Sequence, residues 1–390
     1  MKKVLIYLYK NRLAPVGGQY GYNYNVYTVL EKNGIKNIDF LETEKGNATS
    51  INQKVNKIQN KTLLKLVKIL KSIVRNYMRL YGRTHKAVVD LNNYDIVHFH
   101  NVSDMYSCKD SLEKYKGKVI LTSHAPNRPS LSVFQMLSPF EQKYMKWFYK
   151  RMFDMDVYAF NRADYIVFPC PEAEEPYYNN WDYYKEFKKS NSHKYIYIPT
   201  GINPCSPKVG KSEVRQRYGI PEEAFVFCYV GRHNEIKGYD TLKELGLELL
   251  KDKNVYFLVA GKEEPIKGLE HGRWIEVGWT NDPHSIICAS DVFILPNRET
   301  YFDLIMLELI SLGAIVLCSH TGGNKFFEKY KPNGIIQYST KQEAIVKAQE
   351  LMKLTNDDKK KLQNYNVKMY KEYFTSEVFT SAYLEFLDKI

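Results

Sequence analysis

No run of 18 uncharged apolar residues occurs in the 390-residue chain, so no segment is expected to cross a bilayer. The first apolar stretch is confined to residues 4–9, with Lys10 and Arg12 close behind. That is too short for the apolar region of a signal peptide and suits a buried first strand. Cysteine is sparse: Cys108, Cys170, Cys205, Cys228, Cys288 and Cys318 stand at long, irregular gaps with no C-x-x-C pair. A zinc site or disulfide framework is therefore not expected. Cys228, inside Val226-Phe227-Cys228-Tyr229, reads as a small buried hydrophobe in a reducing compartment. Repeats and low-complexity tracts are also missing. Asp and Glu are absent from residues 45–89.

Hydrophobic residues make up 44% and charged residues 26%, an ordinary globular balance. At roughly 100–200 residues per domain, the length allows two or three domains. The net charge of +12 attracts phosphate on nucleic acid, anionic lipid or nucleotide. Its distribution is uneven. Within 54–86, Lys54, Lys57, Lys61, Lys65, Lys68 and Lys71 begin a series that continues through Arg75, Arg79 and Arg83 to Lys86. Steps of three or four residues place them along one helical face, with Leu63, Leu66, Leu70 and Val74 among the apolar residues beside it. This is either a solvated helix of the domain or an anchor to an anionic membrane surface. Residues 131–160 mix aromatics and bases, as in Trp147-Phe148-Tyr149-Lys150-Arg151. They read as a long core-packing helix or as a second interfacial patch. Nucleic acid has only net charge in its favour and is not an expected partner.

Short apolar runs at 3–9, 38–41, 96–100, 118–122, 163–168 and 195–198 alternate with helical patterns. A second alternating series has strands at 224–230, 255–260, 274–277, 292–295 and 314–318. The pattern predicts an α/β chain of two Rossmann-like, doubly wound domains. We place the boundary in the polar, unpatterned segment around 207–211, giving domains of 1–205 and 206–374.

Ligands of open α/β sheets sit beyond the C-terminal strand ends. Glycines and charged residues gather at those ends: Gly17-Gly18, His124, Gly231-Arg232, Gly261-Lys262, Pro296-Asn297-Arg298-Glu299 and Gly322-Gly323. The sharpest feature is Gly231-Arg232 followed by Lys237-Gly238. Glycine lets the backbone approach a ligand, Arg offers a planar donor fork to phosphate oxygens, and Lys adds a compact charge.

These residues, with 296–308 and Ile198-Pro199-Thr200-Gly201-Ile202-Asn203, resemble the large retaining glycosyltransferase family 4 of the GT-B fold. The resemblance covers nearly the whole chain and is strongest over 225–325. It implies two facing Rossmann-like domains with a cleft between them, and a C-terminal helix, 375–390, that packs back on the first domain. It implies a nucleotide-sugar donor, with a UDP-sugar favoured, and a lipid-linked or other saccharide acceptor held by the first domain. Hexose or N-acetylhexosamine transfer in cell-surface glycan synthesis, with no cofactor or metal, would follow. The expected location is cytoplasmic, peripheral on the inner face of the plasma membrane. Arg232 and Lys237 would bind the donor diphosphate, Glu308 the ribose and Glu299 the transferred sugar. Gly17, Gly18 and Gly231 would line the donor site. Backbone amides near Phe302, Asp303 and Leu304 would face donor oxygens, and His124 would lie near the reacting sugar. Two departures stand out. Glu299 and Glu308 have eight residues between them where the family has seven, which puts Thr300 in the expected slot. Asp303 stands where the family usually has Gly. Weighed against transfer are a non-catalytic GT-B-fold binding protein, which the altered spacing alone favours, and a GT-B sugar-nucleotide epimerase, which the motifs disfavour.

Overall fold

The structure is a computed structural model that describes residues 2–9, 13–15, 18–41, 60–82 and 85–390. Gly17, Lys54, Lys57 and Arg83 lie outside the described residues. The chain divides into two compact units. The first holds Met1–Phe168, Tyr177–Tyr197 and Tyr383–Ile390, and the second holds Pro169–Pro176 and Ile198–Ala382.

The first unit carries a six-stranded parallel sheet of β1 (Val4–Tyr7), β2 (Ile38–Phe40), β3 (Ile96–Phe99), β4 (Lys118–Leu121), β5 (Tyr165–Phe168) and β6 (Tyr195–Tyr197). Its order is β2-β1-β3-β4-β5-β6. Every residue of β1 and β3 is buried, as expected where helices cover both faces of a parallel sheet. Each fully buried aliphatic side chain there contributes roughly 1.5–3 kcal/mol. The end of the last helix, Ser376–Lys389, belongs to this unit from Tyr383 onward. Phe386 meets Tyr165 edge-on at 5.5 Å, and Tyr383 lies against His98.

The second unit has β7 (Phe225–Val230), β8 (Val255–Ala260), β9 (Trp274–Gly278), β10 (Val292–Leu295), β11 (Val316–Ser319) and β12 (Ile335–Tyr338). The order β12-β11-β10-β7-β8-β9 reverses direction between β7 and β10, which makes their C-terminal ends the topological switch point. The two-domain α/β reading is therefore observed, with three differences. Strand β12 was not anticipated, because Ile335-Ile336-Gln337-Tyr338 is a short edge run interrupted by a polar residue. The stretch 131–160 is a chain of short helices, and Ser138 and Glu141 form a capping box that starts a new one at Pro139. The units part at Tyr197/Ile198, upstream of 205/206. Ile202 pairs with Thr375, and Tyr370 donates its hydroxyl to the Ile202 carbonyl at 2.9 Å, so this segment is sewn into the second unit. The polar segment around 207–211 is likewise held there, with Lys208 and Val209 donating their amides to Ser285 Oγ at 2.9 Å.

Gly238 has φ of 65°, and a Cβ placed on it would stand 1.7 Å from the Pro296 carbonyl oxygen. Gly34 has a similar φ of 66° but open space around it. A non-glycine residue in this conformation costs about 1–3 kcal/mol. We expect Gly34→Ala to show that cost alone and Gly238→Ala a clearly larger one, read by thermal denaturation. Equal losses would refute the contact at Pro296.

Candidate functional site

The switch point of the second unit is built from two loops pressed together. The loop after β7 carries Gly231, Arg232, Lys237 and Gly238, and the loop after β10 carries 296–303. The Arg298 amide donates to the Ile236 carbonyl at 2.9 Å, and the Arg298 guanidinium pairs with Asp240. The Lys237 amide donates to Asn234 Oδ1 at 2.9 Å, and Tyr229 donates its hydroxyl to the Arg232 carbonyl at 2.7 Å. These bonds fix a turn from which the Arg232 side chain emerges exposed and that of Lys237 half-buried.

Lys237 Nζ lies 2.5 Å from Asp303 Oδ2, and the same oxygen accepts from Asn297 Nδ2. Asp303 precedes the helix Leu304–Ser311, whose next turn carries Glu308. Glu308 Oε2 is 3.1 Å from His284 Nε2. The Cys205 thiol and the Glu308 carboxylate push the His284 pKa up to about 10, so the imidazole is charged at neutral pH. The stability from this pairing is full below the unfolded-state pKa and is lost as pH rises through about 10.

A cleft of about 450 Å³ opens at the ends of β7, β8 and β9. Gly231, Arg232, Gly261, Lys262, Trp279 and Pro283 are among its lining residues. Trp279 is 78% exposed on its rim. Pro283 adjoins His284, so the cleft leads toward the Glu308 pair.

The structure brings Lys237 and Asp303 into contact and sets Gly231 and Arg232 in the cleft. Leu304 and Glu308 follow Asp303 on the same helix, and Glu299 is half-buried on the loop before it. Thr300 is fully buried, and Phe302 is a core residue stacked on Phe327 at 5.6 Å. His284 and Trp279 were missed in the sequence. Neither stands at a diagnostic spacing, and the one available signal was their place just past β9.

In the first unit, Gly18 has φ of 70° and starts the helix Gln19–Lys32. His124 follows β4 with φ of 53°, a strained conformation for a non-glycine residue. Its Nε2 is 2.8 Å from His100 Nδ1, and the rings stack at 5.1 Å. His98 adjoins His100 at 4.2 Å between ring centres and bonds the Tyr383 hydroxyl and Thr122. His100 Nε2 is buried without a hydrogen-bond partner among the described residues. Burial pushes His98 and His124 down to about 3, and burial with the neighbouring His98 and His124 holds His100 well below its ordinary value.

Among the described residues the same unit carries an exposed apolar face. Leu63, Leu66, Leu70, Val74, Tyr77 and Met78 are exposed along the helix Lys61–Tyr81, in which only Asn76 and Leu80 are buried. Met136, Phe140, Tyr144 and Trp147 are exposed on the neighbouring short helices. The two stretches meet around a groove of about 610 Å³ lined by Lys61, Lys65, Lys68, Arg75 and Arg79 with Met136 and Leu137. The Tyr81 hydroxyl ties them together, donating to the Phe148 carbonyl at 2.7 Å.

The histidine cluster has a consequence for stability. Histidines buried neutral must stay unprotonated in the folded chain, while the unfolded chain takes up protons below about pH 6.5. Stability therefore falls as pH drops from about 6.5 toward 3. We expect thermal denaturation at pH 7 and pH 5 to show this loss and His98→Gln to lessen it. An unchanged pH dependence in a folded variant would contradict the assignment.

Residues 224–354, about a third of the chain, match the family model of Glycosyl transferases group 1. An Escherichia coli UDP-Gal:alpha-D-GlcNAc-diphosphoundecaprenol alpha-1,3-galactosyltransferase is 26% identical over 175 residues, covering 41% of this chain and 45% of that protein. The lipopolysaccharide core biosynthesis glycosyltransferase LpsE of Rhizobium meliloti is 26% identical over 181 residues, covering 44% and 52%. The chain thus spans about half the length of the curated relatives it matches. Among solved structures, sucrose-phosphate synthase from Thermosynechococcus elongatus superposes with a TM-score of 0.62 at 15% identity, covering 99% of this chain and 98% of that one. Anabaena HepE in complex with UDP and glucose gives 0.62 at 13% identity, covering 100% of both chains. These likenesses, with the two parallel sheets, establish the GT-B fold, and the stretch matching group 1 glycosyl transferases lies in the second unit.

Proposed function

We propose that the protein is a glycosyltransferase that moves a sugar from a nucleotide-sugar to a saccharide acceptor in cell-surface glycan synthesis. The observation that carries this is the switch point of the second unit. There two cations, a helix start and an aromatic-rimmed cleft lie together where a doubly wound sheet binds nucleotides. The nucleobase would stack on Trp279, and Glu308, held by charged His284, would accept the ribose hydroxyls. Arg232 and Lys237 would face the diphosphate, with amides near Asp303 and Leu304. Such preorganised charge offsets the charge that develops on the leaving phosphate, usually the largest catalytic contribution. Glu299 is the proposed sugar contact and His124 the proposed active-site histidine. Retention at the anomeric carbon and independence from metal ions belong to the same reading.

UDP is the favoured carrier. The E. coli relative is named for UDP-Gal, and the Anabaena structure is a complex with UDP and glucose. That relative is also named for a diphosphoundecaprenol acceptor, which supports a lipid-linked acceptor here. The apolar face of helix Lys61–Tyr81 and its basic groove would bring the first unit to an anionic membrane surface. A helix of the domain would turn that stripe inward, whereas this one presents it to solvent.

Two experiments test the reading. A melting-temperature panel with UDP, GDP, ADP and CMP should show a rise with one nucleotide. Free ligand at 100 times its dissociation constant adds about 2.7 kcal/mol. The rise should shrink in Lys237→Ala and in Trp279→Ala, and no rise with any nucleotide at millimolar concentration would overturn the donor site. Separately, the protein should sediment with vesicles containing phosphatidylglycerol more than with phosphatidylcholine alone. Equal recovery from both would remove the membrane-facing role.

A further inference from the structure

We infer that Asp303 is a displaceable counter-ion of Lys237, which weakens the hold of the site on the nucleoside diphosphate product more than on the intact donor. This rests on the donor-site reading above and adds a residue that tunes product release.

Asp303 stands just before the helix Leu304–Ser311, where a carboxylate ordinarily accepts from first-turn amides. It makes no such bond. Its Oδ2 is instead shared between Lys237 Nζ, at 2.5 Å, and Nδ2 of buried Asn297. The carboxylate is thus held beside the cation assigned to the donor diphosphate, while the helix start is left uncapped by it. Both members of the pair are part-exposed, so an incoming anion can displace the carboxylate. Glycine at this position, as the family resemblance has it, would leave Lys237 without that partner.

Transfer changes the charge that Asp303 meets. The bond between the anomeric carbon and the phosphate oxygen breaks, and its electron pair stays on that oxygen. The acceptor hydroxyl oxygen bonds to the anomeric carbon and its proton leaves to solvent. The terminal phosphate of the diphosphate therefore carries more negative charge than it did as a sugar ester. A carboxylate competing for the same lysine opposes this phosphate more strongly than it opposes the ester.

The test is calorimetric titration of the full chain and of Asp303→Asn with UDP and with UDP-glucose. We expect Asp303→Asn to bind UDP about fivefold more tightly, the size of a part-exposed ion pair. UDP-glucose should change by a smaller factor, and inhibition by added UDP should strengthen in turnover assays. Asp303→Gly, which brings no side-chain amide, must shift the two ligands in the same sense. Unchanged or weaker UDP binding in both variants overturns the inference, as does an equal shift for both ligands. Lys237→Ala separates the failures. If it abolishes UDP binding while the Asp303 variants bind like the parent, the donor site stands and the counter-ion role falls. If the parent binds neither UDP nor UDP-glucose, both fall together.

Discussion

The close approach of two loops at the β7–β10 switch point is the constraint on which the second unit's site depends. Gly238 can lie against the Pro296 carbonyl only because it lacks a Cβ, and the Arg298 amide reaches the Ile236 carbonyl across the same contact. With the loops so joined, Lys237 is delivered to the helix start and meets Asp303. On the far side the 296–303 loop is held as tightly. Would-be Cβ atoms at Gly322 and Gly323 would meet the carbonyls of Thr300 and Tyr301 at 2.0 and 2.2 Å. A loop packed on both sides by glycine-backed contacts has little freedom, which is what charge stabilisation without reorganisation requires.

The fold was legible in the sequence because parallel strands covered on both faces read as continuous apolar runs, as in the largely buried Phe225–Val230 and Val255–Ala260. Short runs and joints were less legible. The Ile335–Tyr338 strand is an edge run without a periodic signal, and the tie between Ile202 and Thr375 joins residues far apart in sequence. The site shows the same division. Gly231, Arg232 and Lys237 lie on one loop, and their spacing is a local signal. The pairing of His284 with Glu308, and of Asp303 with Lys237, exists only once separate strands bring distant segments together.

The basic series of the first unit was only half decipherable from spacing. Periodicity showed a helix with cations on one side and apolar residues beside them, but it cannot say which side meets solvent. In the structure the helix Lys61–Tyr81 leaves Leu63, Leu66, Leu70 and Val74 exposed and seats itself mainly by its end, where Leu80 joins a cluster with Phe148, Tyr149 and Met152. Lys and Arg side chains can lay their stems along apolar surface while keeping the charge in water. A face of that composition gains from both contributions at an anionic bilayer, apolar burial and headgroup attraction.

The extra residue between Glu299 and Glu308 has a structural sense. Thr300 fills a fully enclosed position, and its carbonyl accepts the Gly323 amide at 3.3 Å, so it serves the packing of the loop. A carboxylate there would be charged and enclosed, at a cost of several kcal/mol unless paired. The two acids of this loop instead occupy positions that keep access to water. Glu299 is half-buried and Asp303 is part-exposed beside Lys237. The loop thus carries its carboxylates on either side of the enclosed Thr300, and Asp303 faces the lysine where the diphosphate is proposed to bind.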